Sequence, residues 1–264
     1  MGRAKDIVVK PIAAKDANAL VKRLHYSGKV VTYSRIHLGV FLNGKCGGVM
    51  QFGSSMRKVP MRALVDGTSW EGFIELNRMA FADWLPRNSE SRALGYAFRW
   101  MRKQYPHIEW CVSFADGTRC GDGTIYRASG FILTGVASSP SIMELPDGRM
   151  VHKITLFKNP NTPRKELGGK TVAQVTGGQA SLAKYAAVSG GKLLPGFQLR
   201  YIYFLNPEAR KRLTVPVLPF SEIQRLGAGM YRGKPSAGSS PVEHIASSGE
   251  VGGSIPTPAL HLTT

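Results

Sequence analysis

The sequence predicts an α/β (α+β) fold, a mixed and mostly antiparallel twisted sheet flanked by helices. Three observations predict it. Runs of β-branched and aromatic residues of strand length alternate with segments whose apolar residues recur every three or four positions. Two adjacent strand runs are joined by Asn43-Gly44, a strong short hairpin signal. The 264 residues, 43% of them hydrophobic, suffice for a sizeable core.

Taken in order, Ile7–Val9 is a short strand and Pro11 opens a helical stretch. In that stretch Ala17, Leu20, Val21 and Leu24 fall on one helix face, and His25-Tyr26-Ser27-Gly28 ends it with glycine as the stop. Ile36–Leu42 and Cys46–Phe52 form the hairpin, and Gly72–Ala82 reads as the next strand. Leu94, Ala97, Phe98 and Met101 define a second amphipathic helix with Asn88 or Ser89 as N-cap. Ile108–Phe114 is an apolar strand and Gly123–Ser129 a short helix. Phe131–Val136 and Val151–Phe157 read as two more strands, and Leu199–Leu205 as the last. A Gly-, Lys- and Thr-rich insertion occupies about 158–196, with Thr171–Val188 helical but interrupted by Gly177-Gly178. Residues 1–225 are expected to form the catalytic domain. Residues 226–264, with seven Gly, four Pro and six Ser, are expected to be a disordered tail.

This β-α-β-β-β-α-β-α-β order resembles the N-acetyltransferase-like (GNAT) fold. The resemblance implies that the strand–loop–helix at Pro86–Arg92 receives a cofactor anion on backbone N–H groups. Asn88, Ser89, Ser91 and Arg92 are the candidate cofactor-binding residues there. The loop lacks the glycines that a close-packed pyrophosphate needs, and Glu90 would repel phosphate. An ordinary acetyl-CoA enzyme is thereby weakened.

The net charge of +18 is the other strong signal. Only Arg232, Lys234, Glu243 and Glu250 are charged beyond position 225, so the whole excess lies in residues 1–225. An excess of that size favours a polyanionic partner, nucleic acid above all. Cys46, Cys111 and Cys120 form no C-x-x-C pair, which fits a reducing cytoplasm, and no apolar run reaches membrane-spanning length.

Glu75–Gly130 concentrates polar groups where strands should end and helices begin. His25, Tyr26 and Asp116 together are a donor set suited to iron. Taken singly, His25 reads as a capping or core histidine and Asp116 before Gly117 as a turn residue, so spacing alone defines no metal site. Arg78 lies inside a strand and needs a partner, for which Glu75 and Asp83 are candidates. Trp84 could stack on a base, and the other tryptophans read as core.

Glu75-Leu76-Asn77-Arg78, Asn88-Ser89-Glu90-Ser91, Ser113-Phe114-Ala115-Asp116 and Gly123-Thr124-Ile125-Tyr126, with His25-Tyr26 upstream, resemble the Mom DNA-modification proteins of Mu-like phages. The resemblance spans roughly residues 15–157. It implies an enzyme that adds an acetamido-type (carbamoylmethyl) group to adenine N6 in double-stranded phage DNA, protecting it from restriction in the host cell cytoplasm. It further implies iron held by His25, Tyr26 and Asp116, with Arg78, Ser91 and Tyr126 also needed for activity. The small-molecule donor stays open, acetyl-CoA included, and a homodimer is compatible. Two rival readings remain: an acetyl-CoA-dependent N-acetyltransferase acting on an amine, and a non-catalytic DNA-binding protein.

Overall fold

The computed structural model describes residues 3–117, 121–231 and 234–235. Its main sheet contains β1 (Val8–Pro11), β2 (Ser34–Leu42), β3 (Lys45–Gly53), β4 (Phe73–Phe81), β5 (Trp110–Asp116) and β6 (Ile132–Ser138). A late strand that we number β10 (Phe197–Phe204) enters between β5 and β6, giving the order β1-β2-β3-β4-β5-β10-β6. Every neighbouring pair is antiparallel except β4 with β5. That mixed, mostly antiparallel sheet flanked by helices is the architecture the sequence predicts; the place of the late strand inside β6 is not read from the element order.

Both helix faces read from the sequence are buried where they should be. In α1 (Ala14–Leu24), Ala17, Leu20 and Val21 pack on Val49 and Ala80 of the sheet. In α3 (Ser89–Gln104), Leu94, Ala97, Phe98 and Met101 close the main core on the opposite face with Met50, Phe52, Ile74 and Leu76. A short α2 (Lys58–Arg62) brings Met61 to a smaller cluster around Trp110. The hairpin turn forms as expected, with Asn43 and Gly44 at φ 51° and 78°. Gly28 ends the first helical segment at φ 58°.

Two departures matter for the site. First, β4 and β5 pair only over Phe73–Glu75 and Trp110–Val112, then part. Just beyond, β4 carries a bulge: Gln51 faces Arg78 and Phe52 faces Leu76, so Asn77 has no opposite number on β3. A bulge re-aims the side chains around it. Asn77 is buried there, accepting from the Ser34 hydroxyl (3.0 Å) and donating to the Ser54 carbonyl (3.2 Å).

Second, the segment between β6 and β10 is a folded unit that begins earlier than the expected 158–196. It holds β7 (Ile142–Glu144), β8 (Met150–His152), α5 (Lys153–Lys158), α6 (Val172–Thr176), α7 (Leu182–Ser189) and β9 (Lys192–Leu193). The short strands make a separate sheet, β8-β7-β9, over a core of Met143, Leu145, Leu156, Leu167, Val172, Leu182 and Tyr185. The strand expected at Val151–Phe157 is corrected: it turns helical at Lys153. His152 Nδ1 caps that helix by accepting from the Ile154 N–H (3.1 Å), and Leu156 drops fully into the core. Tertiary burial overrides the β propensity of Ile154 and Thr155. The expected helix at Thr171–Val188 is two helices, divided at Gly177 and Gly178, both with positive φ.

The expected tail lies almost wholly outside the described residues. Its first residues are not free of the fold, since Ala228 is fully buried and Leu226 packs on the main core. Among the described residues, no helix is long and apolar enough to cross a membrane.

Candidate active site

Where β4 and β5 part, two cavities meet through a common wall. The larger, about 520 Å³, opens toward α4 (Thr124–Ala128) and is lined by His25, Met79, Ala115, Asp122, Thr124 and Tyr126 among others. The other, a cleft of about 370 Å³, opens toward the inserted unit and takes in Glu75, Asp116, Gln198, His152 and Ile154. Tyr26, Leu76, Asn77, Arg78 and Phe114 line both. Volumes of this size suit small-molecule sites, generally about 300–1,000 Å³.

Arg78 is the centre of that wall. Its Nε donates to the Lys29 carbonyl (3.0 Å) and one terminal nitrogen to the Asn77 carbonyl (2.7 Å). The partners expected from the sequence are partly corrected. Asp83 lies elsewhere, lining a third cavity, while Glu75 is near enough for its charge to feel Arg78. Burial pushes the Glu75 carboxyl up from its ordinary value, opposed by hydrogen bonds from Ser55 and Asn77 and by the Arg78 charge.

His25 follows the last residue of α1, and its ring lies 4.3 Å from that of Tyr26. The Ser27 N–H donates to His25 Nδ1 (3.1 Å), so the neutral ring carries its proton on Nε2. Burial, helped by the Arg78 charge, lowers the His25 pKa to about 4. The fold therefore selects the uncharged imidazole. Its contribution to stability is complete above pH 6.5 and is lost as pH falls from there toward 4, because only the unfolded chain takes up the proton in that window. The expected loss is roughly 2–3 kcal/mol. Urea melts at pH 7, 5.5 and 4.5 should show it, with a shallower slope in His25→Gln; equal slopes would remove the assignment.

Tyr126 packs its ring against Tyr201 (5.1 Å between centroids) and Phe131 (5.2 Å). The turn before it is held tightly. Asp122 accepts from the Thr124 N–H (3.0 Å) and hydroxyl, and its carbonyl accepts from the Tyr201 hydroxyl. Gly123 sits at φ 75°, where a Cβ would strike the Tyr201 ring at 2.6 Å.

Three of the four residues expected to hold a cofactor, Asn88, Ser91 and Arg92, line one depression together, and Ser89 does not join them. Asn88 and Ser91 line the third cavity, about 360 Å³, with Arg87, Glu90 and Asp83. Ser89 is fully buried and donates its hydroxyl to the Pro86 carbonyl (2.6 Å), so it builds the turn. Arg92 lines a neighbouring depression with Lys5 and Arg87, stacked on Tyr96. Asn88 is the N-cap of α3, at φ 70° and without the expected side-chain bond.

The residues expected to hold iron do not fit it in this arrangement. Tyr26 reaches both cavities, whereas His25 lines the larger and Asp116 the cleft. His25 Nδ1 is engaged by Ser27, and Nε2 carries the proton. Among the described residues, no three His, Cys, Asp or Glu side chains are grouped to hold a metal ion. Trp84 is also away from the site, lying against Gly47 with the Lys45 ammonium over its ring.

The residues of this shared wall and its two cavities fall within a segment, 6–222, that matches the Mom protein family. The chain belongs to the Mom protein family. The protein named methylcarbamoylase mom of Escherichia phage Mu is 38% identical over 211 residues, 80% of each chain. Among solved structures, the chain is similar to an IAA acetyltransferase from Bacillus cereus, at 11% identity, covering 75% of this chain and 99% of that one with a TM-score of 0.41. It is also similar to a GNAT family acetyltransferase from Elizabethkingia anophelis with acetyl-CoA bound, at 11% identity, covering 75% and 98% with a TM-score of 0.40.

In this Mom-family site, sequence reasoning missed several lining residues. Glu75 and Phe114 stood in the motifs that carry the resemblance but were given no place in the site. His152 and Ile154 reach the cleft from a segment that gave no sign of proximity to it, and Met56 from the basic loop Met56–Arg62, which the sequence marks only as a DNA-holding loop. Only the β4 bulge and the fold of the inserted unit bring them together.

Proposed function

We propose that this Mom-family protein modifies adenine in DNA by attaching a carbamoylmethyl group to N6, so that phage DNA resists host restriction. The observation that carries the reading is the pair of cavities sharing one wall: a two-substrate transfer needs a donor and an acceptor held on either side of a common reacting point. The name of the Mu relative and the excess of basic residues in 1–225 support the same reading.

The α4-side cavity is assigned to the donor and the cleft to the flipped base. An adenine N6 is stacked and paired in duplex DNA, so chemistry on it requires extrusion at a cost of a few kcal/mol. In the cleft, Phe114 and Tyr26 offer ring faces for the base, and Asp116 and Glu75 offer carboxyl oxygens to its amino edge. The N6 lone pair forms the new bond to the methylene carbon of the donor's carbamoylmethyl group, the bond from that carbon to the rest of the donor breaks with its electron pair leaving on the donor remnant, and one N6–H bond is given up. The departing proton needs an acceptor, a role assigned to Asp116 with Glu75 beside it. On the donor side the His25 Nε2–H and the Arg78 guanidinium are assigned to donate hydrogen bonds to the amide oxygen of the transferred group, with Tyr126 lining the cavity. The third cavity mixes Asp83 and Glu90 with Arg87, and the depression beside it carries Lys5, Arg87 and Arg92, so a donor with a diphosphate stays open.

Iron expected from the resemblance enters no step here. The test is expression beside a plasmid, followed by digestion to nucleosides and mass spectrometry. Deoxyadenosine carrying a carbamoylmethyl group, with the plasmid resisting restriction, is the expected result. Unmodified deoxyadenosine from folded protein would overturn the reading, and acetylation of a small amine with saturable CoA binding would replace it.

A further inference from the structure

The mouth of the cleft carries two apolar side chains that the transfer itself does not need. Met56 is 78% exposed and Ile154 65% exposed, although both line the cleft, which places them at its rim. They come from separate segments: Met56 from the loop after β3, Ile154 from the first turn of α5 in the inserted unit. A single exposed apolar residue is ordinary. Two of them at one rim, each set among cations, are a pattern. Arg57 follows Met56, Lys153 precedes Ile154 and Lys158 closes α5, while the ammonium of Lys58 is taken up by Glu71 (2.7 Å). Lys29, whose carbonyl receives Arg78, donates its ammonium to the Thr155 hydroxyl at 2.5 Å, tying the rim of the main fold to the inserted unit.

Ile154 is also rigidly presented. Its own N–H is capped by His152, the Lys153 N–H donates to the Ser141 carbonyl (2.7 Å), and Leu156 anchors α5 in a dry core. Apolar tips flanked by lysine and arginine match one occupant by chemistry. Cations meet phosphates, while the tips enter a base step and replace stacking that bending or flipping removes.

We propose that Met56 and Ile154 are wedges that enter the base stack of duplex DNA and hold open the gap left when a base turns into the cleft. The inserted unit thereby acts as one jaw on the duplex and the loop after β3 as the other. This rests on the adenine-modification reading, which supplies the need for a flipped base.

The test uses the full chain, wild type and Met56→Ala/Ile154→Ala together. The probe is a pool of duplexes with one central 2-aminopurine in randomised flanks, and a matching pool with an abasic site opposite it. Wild type is expected to raise 2-aminopurine fluorescence on binding the paired duplex. The double variant is expected to bind by anisotropy within about threefold of wild type, give little rise on the paired pool, and recover it on the abasic pool. Plasmid modification by the variant should fall at least tenfold. A full rise and full modification from the variant would overturn the wedges and leave the adenine reading standing. Binding by wild type without any rise overturns the wedges as well. Wild type that leaves plasmid deoxyadenosine unmodified removes the reading beneath them.

Discussion

Replacing Arg78 with lysine is expected to lower adenine modification by about 100-fold or more, the size of loss seen when one preorganised donor is removed from a transfer site. Stability should change by about 1 kcal/mol or less, since the residue stands on a half-buried wall and the stem of the side chain is kept. The guanidinium is fixed by two carbonyls, of Lys29 and of Asn77, with its plane held between the two cavities. A lysine ammonium is a rotating point donor and cannot hold both carbonyls while presenting further donors inward. Modified deoxyadenosine per plasmid, measured beside circular-dichroism melts of the same preparations, separates the two effects. A drop of less than about threefold would remove Arg78 from the reaction.

Gly53→Ala is expected to cost about 3 kcal/mol, at the upper end of what forced overpacking does. A methyl there would overlap the Tyr33 carbonyl oxygen, and would lie 2.6 Å from the Ser34 Cα and 2.7 Å from the Asn77 side-chain oxygen. Two of these are backbone atoms and cannot swing away. The third belongs to the residue that makes the β4 bulge, so the strain goes directly to the point that aims Arg78. Gly44→Ala supplies the comparison, because a methyl there meets nothing within 4 Å and only its φ of 78° is unfavourable. Urea melts should place the Gly53 variant well below the Gly44 one. Equal midpoints would show that the β2–β3 edge relaxes freely.

The parts legible in the sequence were those with short-range causes. The Asn43-Gly44 hairpin, the Ala17/Leu20/Val21 face and the Leu94/Ala97/Phe98/Met101 face follow from turn chemistry and helical period, and all three form. What was not legible depends on distant pairing. Nothing local says that β10 enters between β5 and β6, or that β4 skips a residue at Asn77. Composition made 158–196 an insertion, but its true start is the strand Ile142–Glu144, because pairing of β7 with β8 and β9 is non-local. In the site, Tyr26 and Asp116 stood out as residue types at element ends, and Arg78 as a charge inside a strand. The Ser89 hydroxyl turns to the Pro86 carbonyl, because a hydroxyl at a helix start can serve the backbone as easily as a ligand. His25, Tyr26 and Asp116 make a plausible donor set on paper, yet the splay of β4 from β5 divides them between two cavities.

The inserted unit also bears on how the chain assembles. β10 must find an edge left open between β5 and β6, and those strands end at Asp116 and Ser138, long before Phe197 is made. A floppy connection of that length would slow the closure. Here Met143 pairs with Leu193, Glu144 with Lys192, and the Ser139 N–H with the Gly196 carbonyl (2.7 Å). Once this unit has collapsed on its own core, its two ends lie side by side. β10 then reaches β6 much as the second arm of a hairpin reaches the first, and synthesis from the ribosome, which delivers the unit before β10, sets the two events in that order.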